Sequence, residues 1–142
     1  MTAMTTTLLD TDMLSELLKQ RNPQVTARAA EYLQLHRQFA LSVFTRFEIA
    51  RGFKEKGATT QLTRFREFCR QSLVLPVTDA IFDRAEDLWM MARHSGLPHS
   101  DADLIIAATA LETGRVLVTG NTAHYSWIPG LTLDDWRTVN PS

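Results

Sequence analysis

Acidic and amide side chains occur in this sequence where runs of apolar residues end and where helices are predicted to begin. Asp10 follows the apolar run that closes at Leu9, and Asn121 follows the predicted strand 115–119. Glu48 and Asp103 lie near the starts of two predicted helices. Since the carboxyl ends of parallel strands share one edge of a sheet, and ligands bind at that edge, we expect these four side chains to meet in one pocket.

Three carboxylates in one pocket have a definite chemical consequence. Packed carboxylates repel each other, so either a cation neutralises them or their pKa values shift. Mg²⁺ and Mn²⁺ prefer hard oxygen ligands, and Mg²⁺ usually keeps several waters beside one or two carboxylates. The residue types therefore favour a Mg²⁺ or Mn²⁺ site formed by Asp10, Glu48 and Asp103.

Helix capping is an alternative explanation for each acid taken alone. Thr45-x-x-Glu48 and Ser100-x-x-Asp103 both match the capping-box pattern, in which the acid bonds the backbone amide of the first residue. Asp12 is expected to cap the helix that follows the first strand. The pattern alone leaves open whether Glu48 and Asp103 bind a metal or cap their helices.

The charge is uneven along the chain, although the net charge is only −1. Between Phe44 and Arg70 three acidic residues are outnumbered by seven basic ones: Arg46, Arg51, Lys54, Lys56, Arg64, Arg66 and Arg70. Such a surface can follow a phosphate backbone, and a solvated helix face is an equal alternative. Arg46, Arg51 and His124 are the candidate contacts to substrate phosphates.

Strands and helices alternate along the predicted structure. Strands are predicted at about 6–9, 39–43, 73–77, 115–119 and 131–133, with helices at about 12–20, from 23, and at 45–56, 60–71, 78–94 and 100–113. A polar loop is predicted at 120–126. This alternation is typical of a mostly parallel sheet covered on both faces, which is an α/β fold with three α/β/α layers.

The composition is that of an ordinary folded domain. The chain has 142 residues, of which 44% are hydrophobic and 22% charged, and this predicts one domain over residues 1–142. The N-terminus lacks the pattern of a signal peptide. The sequence contains no run of about 18 apolar residues, so no membrane span is predicted. With its single cysteine, Cys69, the chain is expected in the cytoplasm and away from the membrane.

Four segments together resemble the PIN-domain family, and within it the VapC toxins of bacterial toxin–antitoxin pairs. They are LLDTDMLSELL (8–18), TRFEIARG (45–52), DADLIIAATALETGRVLVTGN (101–121) and WIPGLTLDDW (127–136). Their order and spacing are similar to the family over nearly the whole chain. The most specific combination is D-x-x-IAA at 103–108, followed by T-x-N at 119–121 and then IPGL.

This resemblance implies a PIN-like α/β/α sandwich with the activity of a metal-dependent endoribonuclease. It implies that Asp10, Glu48 and Asp103 bind the metal, that the chain forms a homodimer, and that a VapB-type antitoxin blocks the site. VapC relatives commonly cut structured RNAs such as tRNA. The family often has Asp where this chain has Asn121, which can orient a water without adding charge, so one metal ion or two remains open.

The expected chemistry is hydrolysis of a phosphodiester by a metal-activated water. Asp103 or Glu48 is the candidate acceptor for the proton of that water. Two other functions are compatible with parts of the sequence. In the first, the acids are caps and the chain is a non-catalytic module that binds nucleic acid or protein. In the second, Asp10-Thr-Asp12 resembles the opening of haloacid-dehalogenase-type phosphatases, but those need a later lysine and none follows Lys56.

Overall fold

The computed structural model describes residues 5–138. Five strands and seven helices alternate within this range. In order they are β1 (Thr7–Leu9), α1 (Thr11–Lys19), α2 (Pro23–His36), β2 (Ala40–Ser42), α3 (Val43–Glu55), α4 (Thr59–Arg70), β3 (Leu73–Leu75), α5 (Asp79–His94), α6 (Asp101–Thr113), β4 (Val116–Val118), α7 (Thr122–Tyr125) and β5 (Leu133–Asp134).

The five strands form one sheet in the order β3-β2-β1-β4-β5, and every paired strand is parallel to its neighbour. β1 lies at the centre, between β2 and β4. Their carboxyl ends therefore adjoin at one edge of the sheet, which we call the carboxyl edge. Pro76 immediately follows β3, which is an edge strand, as expected for a residue that cannot donate to a ladder.

Successive residues of each central strand point to opposite faces of the sheet, as the pleat requires. Leu9, Leu41 and Val118 are buried on one face with residues of α1, α2, α3 and α4. Leu8, Ala40 and Leu117 are buried on the other face with residues of α5 and α6. Helices thus cover both faces, and the predicted α/β/α sandwich is confirmed.

Short polar residues set the starts of the helices that leave the carboxyl edge. The Asp10 carboxylate accepts from Met13 N, and the Ser42 and Ser100 hydroxyls accept from Phe44 N and Asp103 N. Each bond satisfies a backbone amide that the first turn of the helix leaves without a partner. The caps therefore fix where the acids of α3 and α6 stand relative to the sheet.

An aromatic cluster joins parts of the chain that are distant in sequence. The ring of Tyr32 in α2 is stacked with that of Phe39 and tilted against that of Trp136. Phe39 is also stacked with Phe68 of α4. Trp136 is fully buried although it follows the edge strand β5. The segment after β5 is thereby fixed against the face that carries α2.

The structure differs from prediction at two elements near the carboxyl edge. The polar loop predicted at 120–126 contains the short helix α7, and β5 begins at Leu133, where the predicted strand was to end. A four-residue helix is too short to produce a periodic apolar pattern, which explains why it was missed. No helix within residues 5–138 combines the length and apolar character that a membrane span requires.

Candidate active site

Asp10 stands at the centre of the carboxyl edge, between the end of β1 and the first turn of α1. Its Oδ1 accepts from Met13 N at 2.7 Å, and its carboxylate also bonds the Thr119 side chain at the end of β4. The cap of α1 is thus Asp10, and the prediction that Asp12 caps it was wrong. Asp12 lies one residue inside the helix, exposed to solvent.

The Asp10 carboxyl group is hard to ionise in its surroundings. Asp10 is only 5% exposed, and this burial is the main reason that its pKa rises from 3.8 to about 6. The charges of Asp12 and Asp103 raise the pKa further, while the bonds from Thr119 and Met13 oppose the rise. A positive charge beside Asp10 would relieve both the burial cost and the repulsion.

Glu48 reaches the same edge from the second turn of α3. Its Oε1 accepts from Thr11 Oγ1 at 2.7 Å, and Thr11 is the residue that follows Asp10. Thr45 Oγ1 lies 3.1 Å from the same threonine hydroxyl. Because Ser42 caps α3, Thr45 and Glu48 lie inside the helix, and their predicted capping box is wrong.

Asp103 is held by two neighbouring residues of the short helix α7. Its Oδ2 lies 2.8 Å from His124 Nε2, and its Oδ1 accepts from Tyr125 Oη at 3.0 Å. The Ser100 hydroxyl accepts from Asp103 N, so half of the predicted capping box is present. The carboxylate itself faces α7, and its charge reaches Asp10.

Tyr125 remains a hydrogen-bond donor at all ordinary pH values. Burial, followed by the charges of Asp103 and Asp10, raises the pKa of its phenol well above its usual range. Tyr125 was not among the site residues predicted from the sequence. Its position after the T-x-N segment was a usable signal, but the predicted loop concealed that Tyr125 and His124 turn towards Asp103 together.

Asn121 lies just beyond β4 and precedes α7. Its backbone N donates to Thr119 Oγ1 at 3.1 Å, and its side chain is exposed and does not cap α7. Thr119 is fully buried and bonds both Asp10 and the backbone of Asn121. Thr119 is therefore a second site residue that the sequence analysis did not single out.

Within residues 5–138, neither arginine predicted as a phosphate contact forms an ion pair or hydrogen bond with Asp10, Glu48 or Asp103. Arg46 lines a separate hollow of about 230 Å³ together with Arg66, Cys69 and Arg70. Arg51 is exposed, with its guanidinium carbon 4.8 Å from the centre of the Phe47 ring. His124 lies at the site, where its ring contacts Asp103.

The acids share the carboxyl edge without forming a closed cage. Among residues 5–138, no three His, Cys, Asp or Glu side chains lie close enough together to surround one metal ion. Mg²⁺ is usually bound by one or two carboxylates and several waters, so it does not need such a cage. The mutual repulsion of Asp10 and Asp103 and the burial of Asp10 fit a divalent cation in donor chemistry and in charge.

Comparisons with known proteins agree with this architecture. Residues 7–126 match the family model of the PIN domain. No curated protein sequence matches the chain significantly.

Several solved structures have a similar fold. The DNA-bound VapBC of Salmonella typhimurium is 24% identical, with a TM-score of 0.81, covering 94% of this chain and 99% of that one. VapBC-1 of nontypeable Haemophilus influenzae is 25% identical, with a TM-score of 0.80 and coverages of 92% and 98%. A toxin–antitoxin complex of Klebsiella pneumoniae is 26% identical, with a TM-score of 0.69 and coverages of 89% and 96%. Because the PIN-domain match spans most of the sequence, this chain belongs to the PIN-domain family.

Proposed function

We propose that this protein is a VapC-type toxin, a metal-dependent endoribonuclease formed by one domain over residues 1–142 and acting in the cytoplasm. The observation that carries this proposal is the buried Asp10 carboxyl group at the carboxyl edge of a PIN domain, whose pKa is raised by burial and further by the charges of Asp12 and Asp103. A carboxyl group whose pKa is raised by burial and by neighbouring charges is typical of a functional site.

The proposed cofactor is Mg²⁺ or Mn²⁺, held by Asp10, Asp103 and Glu48. When bound, such an ion lowers the pKa of a coordinated water and offsets negative charge on the phosphoryl oxygens. Thr119 and Met13 orient the Asp10 carboxylate, and Tyr125 and His124 orient that of Asp103.

The remaining polar groups have proposed roles in proton transfer and water placement. Glu48 accepts a hydrogen bond from Thr11, the residue after Asp10, and this supports Glu48 as the proposed acceptor of a proton from the attacking water. Asn121 is exposed at the same edge, and its amide can orient a water without adding charge. Asp103 is the alternative base.

A groove beside Glu48 supports RNA as the substrate. It has a volume of about 560 Å³, and its walls come from α1, α3 and the start of α4. Three basic side chains line it, Lys19, Arg21 and Lys56, against the single carboxylate of Glu48. Cations next to a hydrolytic site suit a phosphate backbone, whose neutralisation releases counterions. Structured RNA such as tRNA is the proposed target.

A VapB-type antitoxin is the proposed partner. The solved structures that this chain resembles are themselves VapBC or toxin–antitoxin complexes. In this proposal the antitoxin blocks access to the carboxyl edge.

A homodimer is also proposed, and exposed apolar side chains on α5 support it. Phe82, Trp89, Met90 and Met91 are all at least 38% exposed on this one helix. Large exposed apolar residues on one element commonly mark an association surface. Light scattering of the purified chain tests this part of the proposal directly.

RNA cleavage by the purified, partner-free protein tests the function. We expect discrete fragments from total bacterial RNA with Mg²⁺ or Mn²⁺, none with a chelator, and none from the Asp10→Asn variant. A folded protein that neither cleaves RNA nor gains thermal stability with Mn²⁺ would instead be a non-catalytic binding module. Cleavage that survives both the chelator and the variant would also contradict the proposal.

A further inference from the structure

Arg137 follows β5, and its side chain is fixed at the carboxyl edge. Its Nε lies 3.2 Å from Asp135 Oδ1, and its Nη2 lies 3.1 Å from Asp135 Oδ2. Nη2 also donates to the backbone carbonyl oxygen of Gly120. Gly120 comes directly after Thr119, whose side chain bonds Asp10. The guanidinium group therefore contacts the residue next to Thr119, and Thr119 contacts Asp10 directly.

Gly120 leaves the space that this arrangement needs. A Cβ atom added there would lie 2.7 Å from the guanidinium carbon of Arg137, which is closer than real Cβ contacts. The backbone of Gly120 does not have a positive φ angle, so no turn geometry demands glycine at this position. A methyl group at this position would therefore displace the end of the Arg137 side chain.

The guanidinium group keeps free donors and feels the charge of the site. Asp135 and Gly120 engage Nε and Nη2, whereas Nη1 forms no hydrogen bond with any residue from 5 to 138. The side chain is 46% exposed. Its pKa is raised, first by the bond to Asp135, and further by the charges of Glu16 and Asp10. The guanidinium group thus interacts with the charge of Asp10 and keeps the two N–H donors of Nη1 open to a ligand.

We propose that Arg137 is a substrate-binding residue that takes a backbone phosphate of the RNA strand next to Asp10. The planar guanidinium group suits the oxygens of a phosphate, and its orientation is already fixed by Asp135 and Gly120, so little entropy is lost on binding. This inference rests on the proposed nuclease function. It adds a further phosphate contact to those predicted for Arg46, Arg51 and His124.

Four variants distinguish the effect of where the Arg137 charge lies from the effect of its presence alone. Arg137→Gln removes the charge, and Arg137→Lys restores it without the planar fork. Gly120→Ala keeps Arg137 but displaces its guanidinium group. Arg84→Gln is the matched control, because Arg84 is 44% exposed and ion-paired with Glu112. Glu112 lies nine residues from Asp103 on α6, which is about 13 Å along the helix axis.

Binding of a short, fluorescein-labelled single-stranded RNA is measured without divalent metal, over a range of salt concentrations. We expect Arg137→Gln and Gly120→Ala each to weaken binding about three- to tenfold, the net effect of losing one hydrogen bond from a side chain that is 46% exposed. The slope of log affinity against log salt should fall by about 0.7, the value for one phosphate contact on a single strand. Arg137→Lys should recover part of the affinity and part of the salt slope. Arg84→Gln should leave the affinity and the salt slope unchanged.

Cleavage kinetics with Mn²⁺ give a second readout. For Arg137→Gln we expect KM for RNA to rise while kcat changes much less, since the contact is made in the ground state as well as in the transition state. Arg137 has only a structural role if its variants lower thermal stability but leave the salt slope at the wild-type value. If wild type cleaves RNA and Arg137→Gln behaves like Arg84→Gln, only this assignment fails. If wild type neither binds nor cleaves RNA, the proposed function fails with it.

Discussion

At the residue scale, Asp10 combines two requirements that oppose each other in energy. The hydrogen bond from Met13 N, by which Asp10 caps α1, favours the ionised carboxylate. Burial of Asp10 and the charge of Asp103 disfavour the ionised form. The pKa rises from 3.8 to about 6. At 1.36 kcal/mol for each tenfold change in proton affinity, the ionised group destabilises the metal-free fold by about 3 kcal/mol at neutral pH.

We expect Asp10→Asn to abolish RNA cleavage and to stabilise the metal-free protein, by up to about 3 kcal/mol at pH 7. Asparagine is as good an N-cap as aspartate, so the bond to Met13 can persist without the buried charge. Urea unfolding of both proteins after removal of metal measures the difference. Asp79→Asn is the control, because Asp79 is exposed in the first turn of α5, and its charge is not among the causes of the raised Asp10 pKa. A less stable Asp10→Asn protein would contradict this account of the site.

The pH dependence of stability should carry the signature of Asp10. Its pKa in the folded state lies above that in the unfolded state, so the folded state binds more protons between about pH 4 and 6. The contribution of Asp10 to the stability of the folded state is therefore complete below about pH 4 and is lost as the pH rises through about 6. Asp135 acts in the opposite direction: burial raises its pKa, but bonds from Arg137 outweigh that and lower it.

The useful quantity is consequently the difference between wild type and Asp10→Asn at each pH. Without metal, we expect the wild type to lose stability relative to the variant from pH 4 to pH 7. With saturating Mn²⁺ the loss should disappear, because the metal binds the ionised carboxylate. A difference that is flat with pH in the absence of metal would show that Asp10 ionises as freely as an exposed aspartate.

At the element scale, α7 positions Asp103 although it has only four residues. Two consecutive side chains of α7 each bond a different oxygen of the Asp103 carboxylate. Trp127 Nε1 also donates to the backbone oxygen of His124. The orientation of the carboxylate thus depends on a short helix and not on α6 alone.

We expect Tyr125→Phe to lower cleavage about tenfold while changing stability by about 1 kcal/mol, the net value of one hydrogen bond. The ring stays in the core, and only the bond to Asp103 is lost. Tyr32→Phe is a matched control, because the Tyr32 hydroxyl is equally buried and accepts from Thr7 N away from the acids. It should lose similar stability and keep full activity. Equal activity of the two variants would show that Tyr125 does not orient Asp103.

The order and type of the long elements could be predicted from the sequence because their apolar patterns are regular. The parallel sheet and the positions of Asp10, Glu48 and Asp103 at one edge follow from that order. The contacts that decide what each acid does could not be predicted. Asp10 and Asp12 are both good caps, and the choice between them depends on where β1 ends. Arg137 reaches Gly120 across 17 residues, a tertiary contact that no local pattern reports.

At the scale of the whole molecule, the aromatic cluster fixes the end of the described chain to the core. We expect Trp136→Ala to destabilise the protein by about 3–5 kcal/mol, the usual cost of deleting a buried large aromatic side chain. It should also weaken RNA binding, because Trp136 lies between Asp135 and Arg137. Phe47→Ala is the control, since Phe47 is 53% exposed, and it should cost less than about 1 kcal/mol. Thermal and chemical unfolding distinguish the two.

The strands of this sheet have only two or three residues, so each central strand is about 10 Å long. Core residues and site residues are therefore adjacent in the chain: Leu9 precedes Asp10, and Val118 precedes Thr119. A change of packing in either strand moves a site residue directly, since no intervening backbone absorbs the shift. In a genetic selection for loss of activity, conservative changes at strand positions should be recovered nearly as often as changes at the acids. This fold has little room for mutations that are neutral to function in its sheet, and its tolerance of sequence drift should be concentrated in the exposed helix faces.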